Sequence, residues 1–394
     1  MSILQQGLET LHPRTRDWVQ SLSRLSVSAT MRIPIKWDTP PVLNPNFPDV
    51  SLDLAGVVSL ADISTSNQRT VLTGTSALLD CLVLCPGAHL QQHAGELNKG
   101  EYPATANMKS GYVFRVENPA AVYYLQKIGK TGHLTTVDVV NTESRQRLNK
   151  HWERSFSLDN ANAISTVAYL TAVSLTITVL VVLALMHDWW GLFVTIILII
   201  YRLLNVIITR RRSETKWGGA KEGNIPADLL ILLSQDRWIR MKGNVDDIKA
   251  VTSGQWLRGM TFLESWVAAF ATVLVYLNAA LASNAKLFGK VILILLLIVS
   301  AGLLAIANEW TEKLQMHGNI VRRGQGKPKL YNRRRDMADE LIEEMGGRTE
   351  WAIKMGLVNS DYTPPSQETS RDGSQAELQR GKTGTNTEIN QVVM

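Results

Sequence analysis

Apolar positions crowd into one part of the chain, between residues 164 and 308, and the flanks on both sides are polar. Ile164 to Met186 (ISTVAYLTAVSLTITVLVVLALM) runs without a charge, long enough as a helix to cross a hydrocarbon core of about 30 Å. His187 and Asp188 interrupt it, and Trp189 to Ile208 returns, with Trp189 and Trp190 at interfacial depth. Ser265 to Ala285 is a third uncharged run, KLFGK turns the chain, and Val291 to Ala307 is a fourth. The pattern predicts an α-helical integral membrane protein with four transmembrane helices in two hairpins, 164–208 and 265–307. A further apolar stretch, Val71 to Cys85 (VLTGTSALLDCLVLC), is too short to span, contains Asp80 and ends at Pro86. It predicts a buried segment, and a span there would reverse the side of the amino terminus.

Outside these runs the pattern is that of folded, water-facing structure. YVFRVE (112–117) alternates as a strand, and PAAVYYLQKIG (119–129) starts with proline and ends with glycine as a helix does. LTTVDVV (134–140) is rich in β-branched residues and predicts a second strand. In the central loop, 209–262, DLLILLS and RWIRMKG flank Gln235-Asp236 as a β-hairpin, the alternative being one amphipathic helix over 227–240 lying on the membrane. Asn244 caps the helix that follows, with Asp246 and Asp247 in its first turn. These strands are expected to join into a small cytosolic α/β region built from residues 1–160 and the central loop. Residues 308–358 predict a basic helical segment with a glycine break at Gly346-Gly347. Residues 38–48 read as a proline-rich connector, and 360–394 as a disordered tail.

Charge adds orientation. The net charge is +6, and ten Lys and Arg residues lie between Arg210 and Arg258, with eight more between Lys313 and Arg335. The turn of the first hairpin has none and that of the second only Lys286 and Lys290. By the positive-inside rule the basic segments, and with them both termini, are cytosolic. The triplets Arg210, Arg211, Arg212 and Arg333, Arg334, Arg335 are expected to meet anionic lipid headgroups. Because the basic residues gather beside the apolar runs, they do not argue for nucleic acid. The first thirty residues lack an apolar run of signal-peptide length, and no N-x-S/T acceptor occurs.

Candidate chemistry is sparse. The two cysteines, Cys81 and Cys85, exclude a disulfide framework, and in a strand their spacing would bury both thiols on one face. GKTG at 129–132 and GKTGT at 381–385 lack the upstream glycine of a phosphate-binding loop. His89 and His93 stand four apart but have no evident third ligand, so a polar helix face is the expectation. No catalytic site, metal site or cofactor is predicted. The sharper signal is polar residues inside spans, which face the bundle and find partners there. Thr195, Arg202, Asn205 and Thr209 form one stripe of the second helix; Thr171, Ser174 and Thr178 form one in the first. Glu264, Ala271 and Asn278 align in the third, and Ser300, Ala301, Gly302 and Ala305 allow close approach in the fourth. Arg202, Glu264 and Glu309 occupy the same third of the membrane, so an Arg202–Glu264 or Arg202–Glu309 pair, with Asn205 beside it, is expected ahead of snorkelling.

RLLNVIITRRR, LLSQDRWIRMKGNVDDIKAVTSGQWLRG and YLNAALASNAKLFGK together resemble a group of uncharacterised multi-pass membrane proteins of filamentous fungi, over residues 160–320. That resemblance implies a fungal source and an integral membrane protein, and leaves a metabolite-pathway context open; it implies no activity, cofactor or catalytic residue. The expectation is a membrane-anchored interaction or regulatory component, whose partners are the bilayer and a protein or a second copy of the chain. The alternative is an oligomeric channel or transporter for an ion or small solute.

Overall fold

A computed structural model describes residues 58–141, 160–213 and 217–362, all of which belong to one unit. The proline-rich connector and the carboxyl tail beyond residue 362 lie outside the described residues. In chain order the elements are α1 (Thr65–Thr73), two 3-10 segments (Leu78–Leu82 and Ala88–Glu96), β1 (Ala104–Asn107), β2 (Val113–Arg115), α2 (Pro119–Ile128) and β3 (His133–Asn141). Then come α3 (Asn160–Leu185), α4 (Trp189–Arg212), β4 (Pro226–Leu233), β5 (Arg237–Asn244), α5 (Val245–Thr252), α6 (Phe262–Leu281) and α7 (Leu287–Glu309). The chain continues through β6 (Lys313–Met316), β7 (Asn319–Arg323), β8 (Lys329–Leu330), α8 (Arg334–Glu344) and α9 (Glu350–Lys354).

Four helices, α3, α4, α6 and α7, are long and apolar enough to cross a membrane. Their most extensive packing is not between sequence neighbours: α3 lies on α7 and α4 on α6, and the consecutive α6 and α7 touch far less. Ala172, Leu183, Leu198, Ala271, Leu296, Ala301 and Leu304 are buried between them. The outward faces are apolar, with Val167, Ile177, Val181, Phe193, Phe270, Val273, Leu295 and Ile298 all exposed. Tryptophans lie toward both ends of this exposed belt, Trp189 and Trp190 at one and Trp266 and Trp310 at the other. The stripe of Thr171, Ser174 and Thr178 corrects the expectation for the first helix. All three face outward, because each hydroxyl donates to a carbonyl three or four residues earlier in its own helix and needs no partner across the bundle.

At the end of the bundle remote from the sheet, one carboxylate ties two helices. Asp188 is 3% exposed. Its Oδ1 accepts from the Gly191 N–H (3.1 Å) at the start of α4, and its Oδ2 from the Lys286 N–H (3.2 Å) at the start of α7. A Cβ at Gly289 would sit 2.0 Å from that Oδ2. The carboxylate cannot yield without releasing both helix starts. Gly289→Ala and Asp188→Ala are therefore each expected to cost roughly 1–2 kcal/mol, the range of a lost helix cap. Together they should cost less than the sum, and equal, additive losses in a detergent denaturation series would reject the shared cap.

The remainder is an eight-stranded sheet of order β2-β1-β4-β5-β3-β7-β6, with β8 pairing to β3. β3 and β5 are parallel and every other pair is antiparallel. The β4–β5 hairpin turns through three residues, Ser234 to Asp236, of which Gln235 and Asp236 are at positive φ (61° and 52°). This decides against one amphipathic helix over 227–240. The near-continuous run DLLILL is explained by burial on both sides. Leu229, Ile231 and Leu233 pack with α2, and Leu230 with α8 and α9. The segment after the last long helix departs from the expected basic helix: residues 313–330 supply β6, β7 and β8 to the same sheet before α8 begins. The sheet thus collects strands from before the first long helix, between the two pairs, and after the last.

Candidate functional site

A polar cluster is buried where the sheet-side end of the bundle meets residues 65–96. It starts from Arg202, which is 2% exposed on α4. Its Nε donates to the Asp80 carbonyl (3.2 Å) and its Nη1 to Gln91 Oε1 (2.7 Å). Gln91 Nε2 donates on to Thr70 Oγ1 (2.9 Å) and Ser76 Oγ (2.7 Å). The Asp80 carboxylate accepts from the Tyr169 hydroxyl (2.7 Å) on α3 and from the Ala77 N–H (2.8 Å). Arg69 covers the Tyr169 ring at 5.3 Å and donates to Thr311 Oγ1 (3.2 Å) and Ser165 Oγ (3.4 Å). Burial pulls the Arg69 guanidinium below its ordinary value, and Asp80 opposes that shift.

This replaces the expected ion pair. Glu264 is committed elsewhere: it accepts from Arg258 Nη2 (2.7 Å) and from the Thr261 N–H (2.9 Å), and lies 3.8 Å from Arg211. It serves as the capping-box acid of α6. Glu309 is exposed, and its backbone carbonyl accepts from Lys127 Nζ (3.0 Å). Asn205 donates to the Tyr201 carbonyl (3.1 Å), and its Oδ1 accepts from Gln92 (3.1 Å), a residue of the same intruding segment. Asn278 is buried toward the opposite end of α6, far along the helix from Arg202. The reason for the mismatch is depth: Glu264 is held beside Arg211 and Arg258, nine residues along α4 from Arg202, while Val83, Leu84, Cys85 and Ala88 pack in one cluster with residues of α3, α4, α6 and α7.

The basic triplets divide. Arg210 is exposed and Arg211 largely so, whereas Arg212 is 9% exposed, donating to the Arg258 carbonyl (2.9 Å) and to Gln92 Oε1 (2.8 Å). Arg333 is exposed; Arg334 pairs with Asp236 (2.5 Å), and Arg335 with Asp339 (3.8 Å). Cys81 and Cys85 are free thiols, and the segment that carries them is a 3-10 turn leading into extended chain rather than a strand. Burial pushes both thiols up, which disfavours the reactive thiolate. His89 and His93 fall on the 3-10 segment, where His93 meets Glu96 at 3.1 Å on the exposed side.

The sheet domain is joined to the bundle through the carboxyl end of α7. Lys127 of α2 donates to the carbonyls of Asn308, Glu309 and Thr311, capping that helix with a cation. The Tyr124 hydroxyl donates to the Glu312 carbonyl (2.6 Å), Ser165 Oγ to that of Ala307 (2.9 Å), and Asn308 Nδ2 to that of Thr65 (2.7 Å). Hydrogen bonds thus tie the carboxyl end of α7 to α1, α2 and α3.

The sheet carries a second feature, an open cleft of about 950 Å³ where β1, β2 and β4 run past the cover of α2. Its walls are Tyr112 and Phe114, stacked at 5.8 Å, with Trp217, Ile225, Leu229 and Ile248. Lys109, Arg115, Glu117, Glu222 and Lys249 rim it. The Asp246 carboxylate holds the 222–223 loop over the cleft by accepting the N–H groups of Glu222 (2.8 Å) and Gly223 (3.2 Å), and Lys249 pairs with Glu222. An aromatic and aliphatic floor with a charged rim suits a ligand or side chain with an apolar body and polar ends. Comparisons with family models, with curated proteins and with solved structures give no match.

Proposed function

We propose that the chain is a multi-pass membrane protein whose four long helices anchor the sheet domain at the cytosolic face, where it acts as an interaction or regulatory component. The observation that carries this reading is the contrast between the two polar sites. In the bundle, Arg202, Asn205 and Glu264 are engaged by groups of the same chain, and Val83, Leu84, Cys85 and Ala88 pack among the helix residues; in the sheet domain, a large cleft stands open. The exposed belt of aliphatic residues suits lipid, with a second copy of the chain as the other occupant. The cytosolic assignment rests on the basic residues that gather at the sheet side, where exposed Arg210 and Arg211 suit anionic headgroups.

A second reading, a path for an ion or small solute, draws on Asn278 Oδ1, Ser300 Oγ and Thr209 Oγ1, which are buried without a hydrogen-bond partner. Flux into proteoliposomes separates the two. The anchor reading predicts no solute-selective flux from wild-type protein and none from Arg202→Lys. Solute-selective flux from wild-type protein would establish the second reading. For the cleft, native mass spectrometry of protein purified in mild detergent should show a bound small molecule or partner that is lost on Tyr112→Ala, a change at an exposed cleft residue.

A further inference from the structure

Residues 75–92 make an excursion that none of the four long helices requires. It enters beside the end of α4, where Thr75 Oγ1 meets Ser213 Oγ at 2.8 Å. Five residues later, Asp80 is bound by Arg202 of α4 and Tyr169 of α3. Arg202 precedes Ser213 by eleven residues, ~16 Å of helix rise. An arginine reaching back by ~6 Å still leaves Asp80 on the order of 10 Å inside the helix end, a distance that five extended residues cover. The return is marked by Gln92, which bonds Asn205 on its way out and Arg212 at the helix end.

The two sides of the turn differ. Inward, Val83, Leu84, Cys85 and Ala88 are at most 1% exposed against the helices. Outward, Leu78 and Leu79 are 55% and 51% exposed. These are continuous with the exposed aliphatic belt of α3, whose Val167 and Leu170 bracket Tyr169 in sequence. Three local hydrogen bonds close the turn. Asp80 N–H donates to the Ala77 carbonyl (3.0 Å), Val83 N–H to that of Asp80 (3.1 Å), and the Ala77 N–H to the Asp80 carboxylate (2.8 Å). Non-helical backbone at membrane depth is tolerated where protein buries it, as the long helices do on the inner side of this turn.

We propose that Leu78–Leu82 is a re-entrant membrane element: it dips into the bilayer beside α3 and α4, places Leu78 and Leu79 against lipid acyl chains, and leaves by the side it entered. The inference rests on the membrane reading above, and the test separates the two. Protein with Leu79→Cys in a Cys81→Ala, Cys85→Ala background is spin-labelled, reconstituted in phosphatidylcholine–phosphatidylglycerol vesicles, and read for collision with oxygen and with a water-soluble nickel chelate. Parallel labels at Val181, on the outward face of α3, and at Tyr112, on the cleft, report lipid and water. The label at 79 should match that at 181, favouring oxygen over nickel several-fold more than the label at 112. A label at Leu78→Cys gives the same reading should the first variant fold poorly. Water-like behaviour at 78 and 79 with lipid-like behaviour at 181 overturns the re-entrant element alone. Water-like behaviour at 181 as well overturns the membrane reading and this inference together.

Discussion

Arg202→Leu is expected to lower stability in detergent by about 3 kcal/mol, the scale of stranding buried acceptors that a charged donor had satisfied. Gln91 Oε1, on a fully buried side chain, loses its donor, and the Asp80 carbonyl keeps only the Val83 N–H. Arg202→Lys keeps the charge but has one nitrogen in place of a fork, so it should recover only part of the loss. Double-mutant cycles locate the partner. Arg202→Leu with Gln91→Leu should cost clearly less than the sum. Arg202→Leu with Glu264→Gln should add to within about 0.5 kcal/mol, as independent sites do. Strong coupling to Glu264 would restore the helix-to-helix ion pair and contradict the arrangement described here.

The second large effect lies in the sheet domain. Arg240 on β5 is 6% exposed and holds two carboxylates. Asp228 on β4 accepts from Nε (3.0 Å) and Nη2 (2.6 Å), and Glu344 at the end of α8 accepts from Nη1 (2.6 Å) and Nη2 (2.8 Å). Burial pushes the guanidinium down, but the hydrogen bonds to Asp228 and Glu344 more than offset this and hold it above its ordinary value. Arg240→Met leaves the Asp228 carboxylate buried without its cation, and a loss of about 3–5 kcal/mol is expected in chemical denaturation. Glu344→Gln should cost much less, because that side chain is 49% exposed and screened by water. The hydrogen bond from Arg240 holds the Glu344 carboxyl below the usual carboxylate range. A depressed pKa stabilises the fold above the unfolded value, and that contribution is lost as pH falls through the folded one. Wild-type stability should therefore fall with acid through and below the ordinary glutamate range, and Glu344→Gln should flatten that fall. An unchanged acid limb in the variant would remove Glu344 from the account.

The four long helices were legible because twenty-residue apolar runs have few other uses. The strands around Leu134 and Leu230 were legible for a related reason, β-branched or alternating runs ended by turn residues. Strands β6, β7 and β8 were not. KLQM and NIVRR are short and basic, their register is set by β3, and beside Arg333 to Arg335 they read as one charged segment. Arg202 stands out in the sequence as an intramembrane charge, but helical periodicity offers it partners only on the other long helices. The clue lay in LLDCL, a lone acid in an apolar run that otherwise resembles a span. Asp80 argued against a fifth crossing, and the same residue marks the segment that meets Arg202. The Arg240 cluster left no local sign, since Asp228, Arg240 and Glu344 are brought together by a hairpin and by a helix a hundred residues away.

The central claim, four helices anchoring one sheet domain on a single side, is met most directly by impermeant thiol labelling in sealed, uniformly oriented vesicles. Single cysteines replace Tyr112 and Gly326, both exposed on the sheet domain or ahead of β8, and Lys286, between α6 and α7, in a background lacking Cys81 and Cys85. The account predicts that the labels at 112 and 326 react from the same face and that the label at 286 reacts only from the other. Labelling of 112 and 326 from opposite faces, or of all three from one, would contradict it.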